Sequence, residues 1–522
     1  MSTPFTRIPA PTGRRVFVLF ALLVVAFKWP VLDEPPVWDA SMSVFPAAIA
    51  LTATDFDLAG LLDQPGYLYG GPNVHALSLV TWITGVAYHF LGPRPAVVLP
   101  VLHLLHFAVG ALALTALWRL ATRVMGAWPA LLVTSALFCL PLLQVQLGTV
   151  YLELPVLAAT AVAVDAWVGR SLARAGLWAT VATLVKPTGA IVAGGLALAS
   201  LLAGGPWRRR FRDAAAVLAG PAVVAALVFL LQPGDGVGFA RLGATVIYLM
   251  SVPDVALILA LFITLFLADR WRGPSAEADP GAATASRAHL AFAGLFVSFF
   301  AFFALLVPLG SSVPILPRYY LQIVPFAFIG GAALLKRRLP PRAAVALLLV
   351  VGSLSLVNRY GRLYPYQGLN NFAIAERSMA YTDLLQLQRL GLEQLVARSA
   401  TEPVFYSLPD HYKLSYPAMG YGIPRPSEGH CILNESPFHA GRLQHFPATF
   451  STIFEFPWLG GEVAMQVVRQ AMADPTRVVE VTPLESGSFS SELIRVSPAP
   501  GVTPSAGMDA GDPRGVNAGA DP

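Results

Sequence analysis

Apolar residues run almost unbroken near 15–32, 75–92, 97–118, 127–147, 152–168, 213–232, 253–270, 288–309, 318–335 and 343–357, and polar residues are confined largely to the gaps. Each run has roughly the 16 to 23 residues that a helix needs to cross a bilayer's hydrocarbon core. A further stretch, 175–203, is too long for one crossing and is interrupted by Lys186-Pro187-Thr188-Gly189. Proline removes a backbone donor and disfavours helix in the residue before it, so this stretch reads as two short helices meeting at a loop. The pattern predicts an α-helical polytopic membrane protein of about eleven to thirteen spans.

The polar gaps orient the spans. Basic clusters at Arg14/Arg15, Arg119/Arg123, Arg170/Arg174, Arg208 to Arg212, Arg270/Arg272 and Lys336 to Arg342 mark the cytoplasmic side by the positive-inside rule. That assignment puts 33–74, 148–152, the Lys186 turn, 233–252, 310–317 and everything after about 358 on the far face. One step breaks parity: an odd number of crossings must separate the loop ending near 74 from Arg119, yet two apolar runs lie between them. Either 75–92 or 97–118 is a re-entrant or interfacial helix, or Arg119 is assigned to the wrong side. The first helix is read as retained, because its run ends in Phe27-Lys28-Trp29-Pro30 with no small-residue cleavage site.

Three segments depart from the spanning pattern. The loop 33–74 is long enough to carry structure of its own, and Ser43, Ala47, Ala50 and Leu51 repeat at near-helical spacing, predicting a short helix along the membrane surface. Beyond Arg362 the composition becomes that of a soluble domain, with a helix over 373–399 and strands over 404–408, 478–482 and 491–496. The organisation is therefore a membrane domain over 1–360, an extracytoplasmic α/β domain over 361–496, and a Pro-, Gly- and Ala-rich disordered tail over 497–522.

Composition agrees: 55% of the 522 residues are hydrophobic, only 12% are charged, and mean hydropathy is +0.61, against about 25% charged in soluble domains. The net charge of +5 comes from clusters that orient spans, so no nucleic-acid surface is implied. Two cysteines, Cys139 in an apolar run and Cys431 in a polar region, support neither a disulfide framework nor a Cys-based metal site. Asn434-Glu435-Ser436 fits a glycosylation sequon, a pattern too common to carry weight.

Ionisable groups at membrane depth are costly and mark function by default. Here they gather at the far-face ends of the runs: Asp33, Glu34, Asp39 and His75 around the first loop, Glu153 in VYLELP, Lys186 in LVKPTG and Arg318 in LPRYYLQIVP. In this order and on this face the chain resembles the GT-C glycosyltransferases that use lipid-linked sugars, a class containing protein O-mannosyltransferases and aminoarabinose transferases. WDASMSVFPAAIAL resembles that family's first-loop acidic motif, and YGGPNVHALSLVTWITGVAYHFLG its second span. YLELPVLAATAVAV, GLWATVATLVKPTGAIV and PRYYLQIVP resemble its acid-Pro, Thr-Lys and Arg-Tyr segments. The chain departs in having Asp39-Ala40-Ser41 where the family has an Asp-Glu pair before an aromatic, that pair lying upstream as Asp33-Glu34, and in having Glu153 where Asp is more common.

The resemblance implies a GT-C helical bundle and inverting transfer, hexosyl or pentosyl, from a polyprenyl-phosphate sugar to a glycan, lipid or protein acceptor at the extracytoplasmic face of the inner or plasma membrane. It makes Asp39 the candidate base, with Asp33 or Glu34 as runners-up; a carboxylate beside an apolar surface has its pKa raised toward a useful range. Asp39 could equally cap the surface helix. Lys186 and Arg318 suit the leaving phosphate, or else snorkel or pair with Glu153 or Asp39. Glu153 suits a divalent metal, the acceptor or the donor sugar, or simply favours a helix N-terminus. His75 could orient a phosphate or base, or serve the fold alone. His103 and His106 share a helical face without a third ligand nearby, and Asp165 reads as structural. Rival readings are a transporter or flippase of lipid-linked sugars, since broken helices are common in transporters, and a catalytically degenerate cell-envelope scaffold.

Overall fold

The structure is a computed structural model, described over residues 11–37, 40–57, 77–231, 253–271, 280–305, 317–336, 338–357, 379, 381–405, 416–422, 448–454, 462–487 and 489–502. Its first helix, α1 (Gly13–Lys28), starts where Thr12 accepts a hydrogen bond from the Arg15 amide and stops before Trp29-Pro30. A π-helical turn over Ala40–Val44 then leads into α2 (Phe45–Ala53). The helix expected in the first loop is thus present, but it does not lie as an open amphipathic surface helix. Phe45, Ala47, Ala48 and Leu51 are buried, because α2 packs against α3 (Leu79–Leu91). Gly85 permits that approach: a methyl group there would stand 3.2 Å from the Ala48 carbonyl oxygen, and Thr52 donates to the Gly85 carbonyl at 3.2 Å.

The next helix, α4 (Pro95–Met125), has 31 residues, about 46 Å at the α-helical rise. By contrast, α3 has 13, about 20 Å, well short of a bilayer core. The run 127–147, read as one stretch, is two helices, α5 (Ala127–Phe138) and α6 (Pro141–Gly148), bent by 71°. The cause is Pro141, which holds Leu140 in an extended conformation.

Four helices follow: α7 (Glu153–Val168), α8 (Leu172–Val185), α9 (Ala190–Leu202) and α10 (Trp207–Leu231). Lys186 bonds Glu153 at one end of α7, and the Trp167 indole donates to Ser200 at the other. Hence α8 and α9 run antiparallel, and Lys186-Pro187-Thr188-Gly189 is the turn of a helical hairpin. Then come α11 (Pro253–Trp271), α12 (Pro280–Leu305), a 3-10 turn over Pro317–Gln322, α13 (Val324–Lys336) and α14 (Pro341–Val357). Arg318 therefore sits in a tight turn ahead of a helix, where the sequence had suggested one continuous run over 318–335.

Among the described residues two helices are long and apolar enough to cross a membrane, Pro95–Met125 and Thr284–Phe303, with the bent pair α5–α6 as a third. Six further apolar helices have 10–17 residues. Large apolar side chains such as Leu22, Phe90, Leu177, Val223, Leu257 and Leu354 are exposed around the bundle, a surface suited to lipid rather than water.

The C-terminal part comprises α15 (Tyr381–Arg398), β1 (Val404–Phe405), β2 (Phe450–Phe454), α16 (Glu462–Ala473), β3 (Arg477–Ser486) and β4 (Phe489–Pro498). The strands form one sheet of order β1-β2-β4-β3, parallel between β1 and β2 and antiparallel elsewhere. Sequence reasoning found α15, β1, β3 and β4 and missed β2 and α16. The predicted tail enters β4 as far as Pro498; 503–522, Cys431 and Asn434 lie outside the described residues. This part shares one hydrophobic core with the bundle, since Leu392, Val404 and Leu493 join Phe20, Leu114 and Leu157 in a continuous cluster.

Candidate functional site

Glu153 is the first residue of α7, where the helix dipole favours a carboxylate. Lys186 leaves α8 in an extended conformation, φ −157° and ψ 139°, as its position before Pro187 requires. Arg318 follows Pro317 in the 3-10 turn. These three elements, remote in sequence, bring their charges together. Lys186 Nζ lies 2.5 Å from Glu153 Oε1, and Arg318 Nε lies 3.4 Å from the same oxygen. All three residues are buried.

Tyrosine rings enclose the cluster. Lys186 Nζ is 4.5 Å from the Tyr319 ring centroid and 5.4 Å from that of Tyr151, while the Arg318 guanidinium is 5.2 Å from Tyr151 and 5.4 Å from Tyr319. Gln322 donates to the Thr188 hydroxyl at 3.0 Å, tying the 3-10 turn to the hairpin turn. Among the described residues, two cations share this one carboxylate where little water can screen them. Glu153 Oε2 has no hydrogen-bond partner among the described residues. Such a site attracts a further anion. Among the described residues no group of three His, Cys, Asp or Glu could hold a metal.

The first loop meets the C-terminal domain on the other side of the 148–153 turn. The Tyr381 hydroxyl donates to Glu34 Oε2 at 2.9 Å and lies 2.8 Å from where a Cβ on Gly148 would stand. Tyr421 donates to the Pro36 carbonyl, Tyr88 to that of Ala418 at 2.8 Å, and Lys28 approaches Met379 Sδ at 3.1 Å. Burial pushes the Glu34 carboxyl up to about 7, overriding the Tyr381 hydrogen bond and the Lys28 charge that favour its ionised form. Asp33, its neighbour, is exposed.

The structure thus brings together Glu153, Lys186 and Arg318, and places Glu34 beside the same turn. Asp39 and His75 lie outside the described residues. Asp165 sits at the opposite end of α7 with Arg119 at 3.3 Å and Arg123 at 2.7 Å, away from the cluster. His103 and His106 bind backbone oxygens of Glu34 and Gln146, tethering the first loop and α6 to α4. Sequence reasoning missed Tyr151, Tyr319, Gln322 and Tyr381. The first two stood in the motifs already singled out, adjacent to Arg318 and two residues before Glu153, but nothing in the string of letters shows that both rings face the same charges.

No protein-family model and no curated protein matches the sequence. Among solved structures, ArnT from Cupriavidus metallidurans in the apo state aligns with 15% identity and a TM-score of 0.50, covering 91% of this chain and 97% of its own. The same protein bound to undecaprenyl phosphate aligns with 16% identity and a TM-score of 0.48 over 93% and 99%. Arabinosyltransferase EmbB from Mycobacterium smegmatis aligns with 16% identity and a TM-score of 0.33 over 77% and 34%. At such identity the likeness to ArnT in the apo state is one of fold alone.

Proposed function

We propose that the chain is an inverting glycosyltransferase that moves a sugar from a polyprenyl-phosphate donor to an acceptor at the extracytoplasmic membrane face. The observation that carries this reading is the buried cluster in which Lys186 and Arg318 both meet Glu153. A carboxylate of that loop, Asp39 by its place ahead of α2 or Glu34 by its raised pKa, takes the proton of the acceptor hydroxyl. The acceptor oxygen then bonds to the anomeric carbon as the bond from that carbon to the phosphate oxygen breaks. The electron pair leaves with the phosphate, whose charge Lys186 and Arg318 meet where water is scarce. Displacement in one step inverts the anomeric centre. The arginine-rich end of α7 faces the cytoplasm by the positive-inside rule, which puts the cluster outside.

The test is reconstitution with a polyprenyl-phosphate sugar. Asp39→Asn and Glu34→Gln are assayed separately for sugar transfer and for donor binding. The reading expects one of them to lose transfer while keeping donor binding; full turnover in both variants would sink the assignment of the base. Donor movement across the bilayer without transfer to any acceptor would instead support the flippase reading.

A further inference from the structure

The opposite end of α7 holds a charge excess that glycosyl transfer does not use. Asp165 is shared by Arg119 and Arg123. Asp213 is shared by Arg209 at 3.7 Å and Arg212 at 3.4 Å. Both carboxylates are therefore committed twice, and among the described residues Arg170 and Arg287 make no ion pair within 4 Å, the latter feeling Asp213 at longer range. Arg287 donates to the Trp167 carbonyl at 2.8 Å and stacks over the Trp167 ring at 5.0 Å, and it lies within electrostatic reach of Arg170, Arg209, Asp213 and Arg123. Among the described residues, six guanidinium groups from α4, α10, α12 and the α7–α8 turn thus face two carboxylates.

The backbone adds a second observation. Arg170 closes α7 in the left-handed region, φ 64°, with the Ser171 amide donating to the Ala166 carbonyl at 2.8 Å. Glycine would make this closure without steric cost. An arginine held there keeps an exposed cation near Arg287, and strain retained in this way points to a function.

The third is the flank of the patch. Trp207 and Phe211 at the start of α10 pack edge to face at 4.3 Å and are 61% and 48% exposed, as aromatic residues are at a membrane interface. Leu218 continues this flank along α10, and Val223 and Leu227 are exposed farther along the same helix on another side. A cationic head site running into an apolar flank matches a molecule with a phosphate at one end and acyl chains at the other.

We propose that this end of the bundle binds the phosphate headgroup of an anionic phospholipid, held by Arg170, Arg209 and Arg287 with its chains along α10. This rests on the membrane reading of the fold and is independent of the transfer reaction. The test uses the full chain in nanodiscs of phosphatidylcholine with increasing phosphatidylglycerol, reading retained lipid by native mass spectrometry and the thermal midpoint.

Phosphatidylglycerol should be retained over phosphatidylcholine and raise the midpoint. Arg170→Gln combined with Arg209→Gln should weaken its retention about 30-fold, from roughly 1 kcal/mol per interfacial charge. Arg389→Gln, on the exposed face of α15, should change nothing. Equal retention of the two lipids, or full retention of phosphatidylglycerol by the double variant, overturns the proposal. Inorganic phosphate giving the same rise in midpoint would identify a soluble anion and overturn the choice of a lipid.

Discussion

Charge counting at the buried cluster predicts that its members will not tolerate substitution equally. In the wild type one carboxylate faces two cations, with Lys186 the closer at 2.5 Å and Arg318 at 3.4 Å, and the side chains are 0–8% exposed. Glu153→Gln takes from two desolvated cations the carboxylate that they share. Removing one partner from a buried ion pair costs about 3 to 5 kcal/mol, and here the single carboxylate serves two partners, so the upper part of that range is expected. Lys186→Met leaves a neutral Glu153–Arg318 pair and fills similar volume with an apolar side chain. Its cost should be about 1 to 2 kcal/mol, chiefly a lost charge-assisted hydrogen bond.

In the double variant a single cation remains, so its loss should be smaller than the sum of the two single losses, a coupling that a double-mutant cycle measures directly. The assay is unfolding of all four proteins in one detergent, with donor binding measured in parallel. Stability should fall in the order wild type, Lys186→Met, Glu153→Gln, whereas donor binding should suffer most in Lys186→Met, which loses a phosphate contact. Glu153→Gln as stable as wild type would refute the electrostatic account of this cluster.

Two further outcomes follow from the same structure. The Glu34 pKa is raised in the fold from 4.5 to about 7, so the stability linked to its protonated form is fully present below about pH 4.5 and is lost as pH rises through 7. Relative to Glu34→Gln, the wild type should lose up to about 3 kcal/mol between pH 4.5 and 8, read as diverging unfolding midpoints; parallel curves would contradict the raised pKa. Gly189→Ala would drive a methyl group into the backbone of Ala182 and Thr183, forcing the α8–α9 turn open. Donor binding should fall with Lys186 displaced, while Gly204→Ala, in open space, should leave it unchanged; equal binding by the two variants would show that the turn does not position Lys186.

Much of the candidate site was legible because membrane burial leaves so few places for charge. Glu153, Lys186 and Arg318 stood out as ionisable residues at the ends of apolar runs, and the Pro187 break announced the turn that carries Lys186. What the letters did not show was how those charges pair. Nothing local distinguishes a lysine awaiting a phosphate from one bonded to a glutamate 33 residues away, and Tyr381 meets Glu34 across 347 positions. The short strand β2 escaped notice because five residues without strict alternation carry little periodic signal.

By itself the sequence determined the solvent, the helical class and the rough position of each helix, since hydrophobic period and length are local properties that water and lipid read directly. It also determined which end of the bundle is basic. Tertiary structure decided how closely α2 approaches α3, how tightly the α8–α9 turn closes, and that one carboxylate serves two cations. Those outcomes depend on close approach at small residues such as Gly85 and Gly189 and on electrostatics between distant segments, and both exist only once the chain has packed.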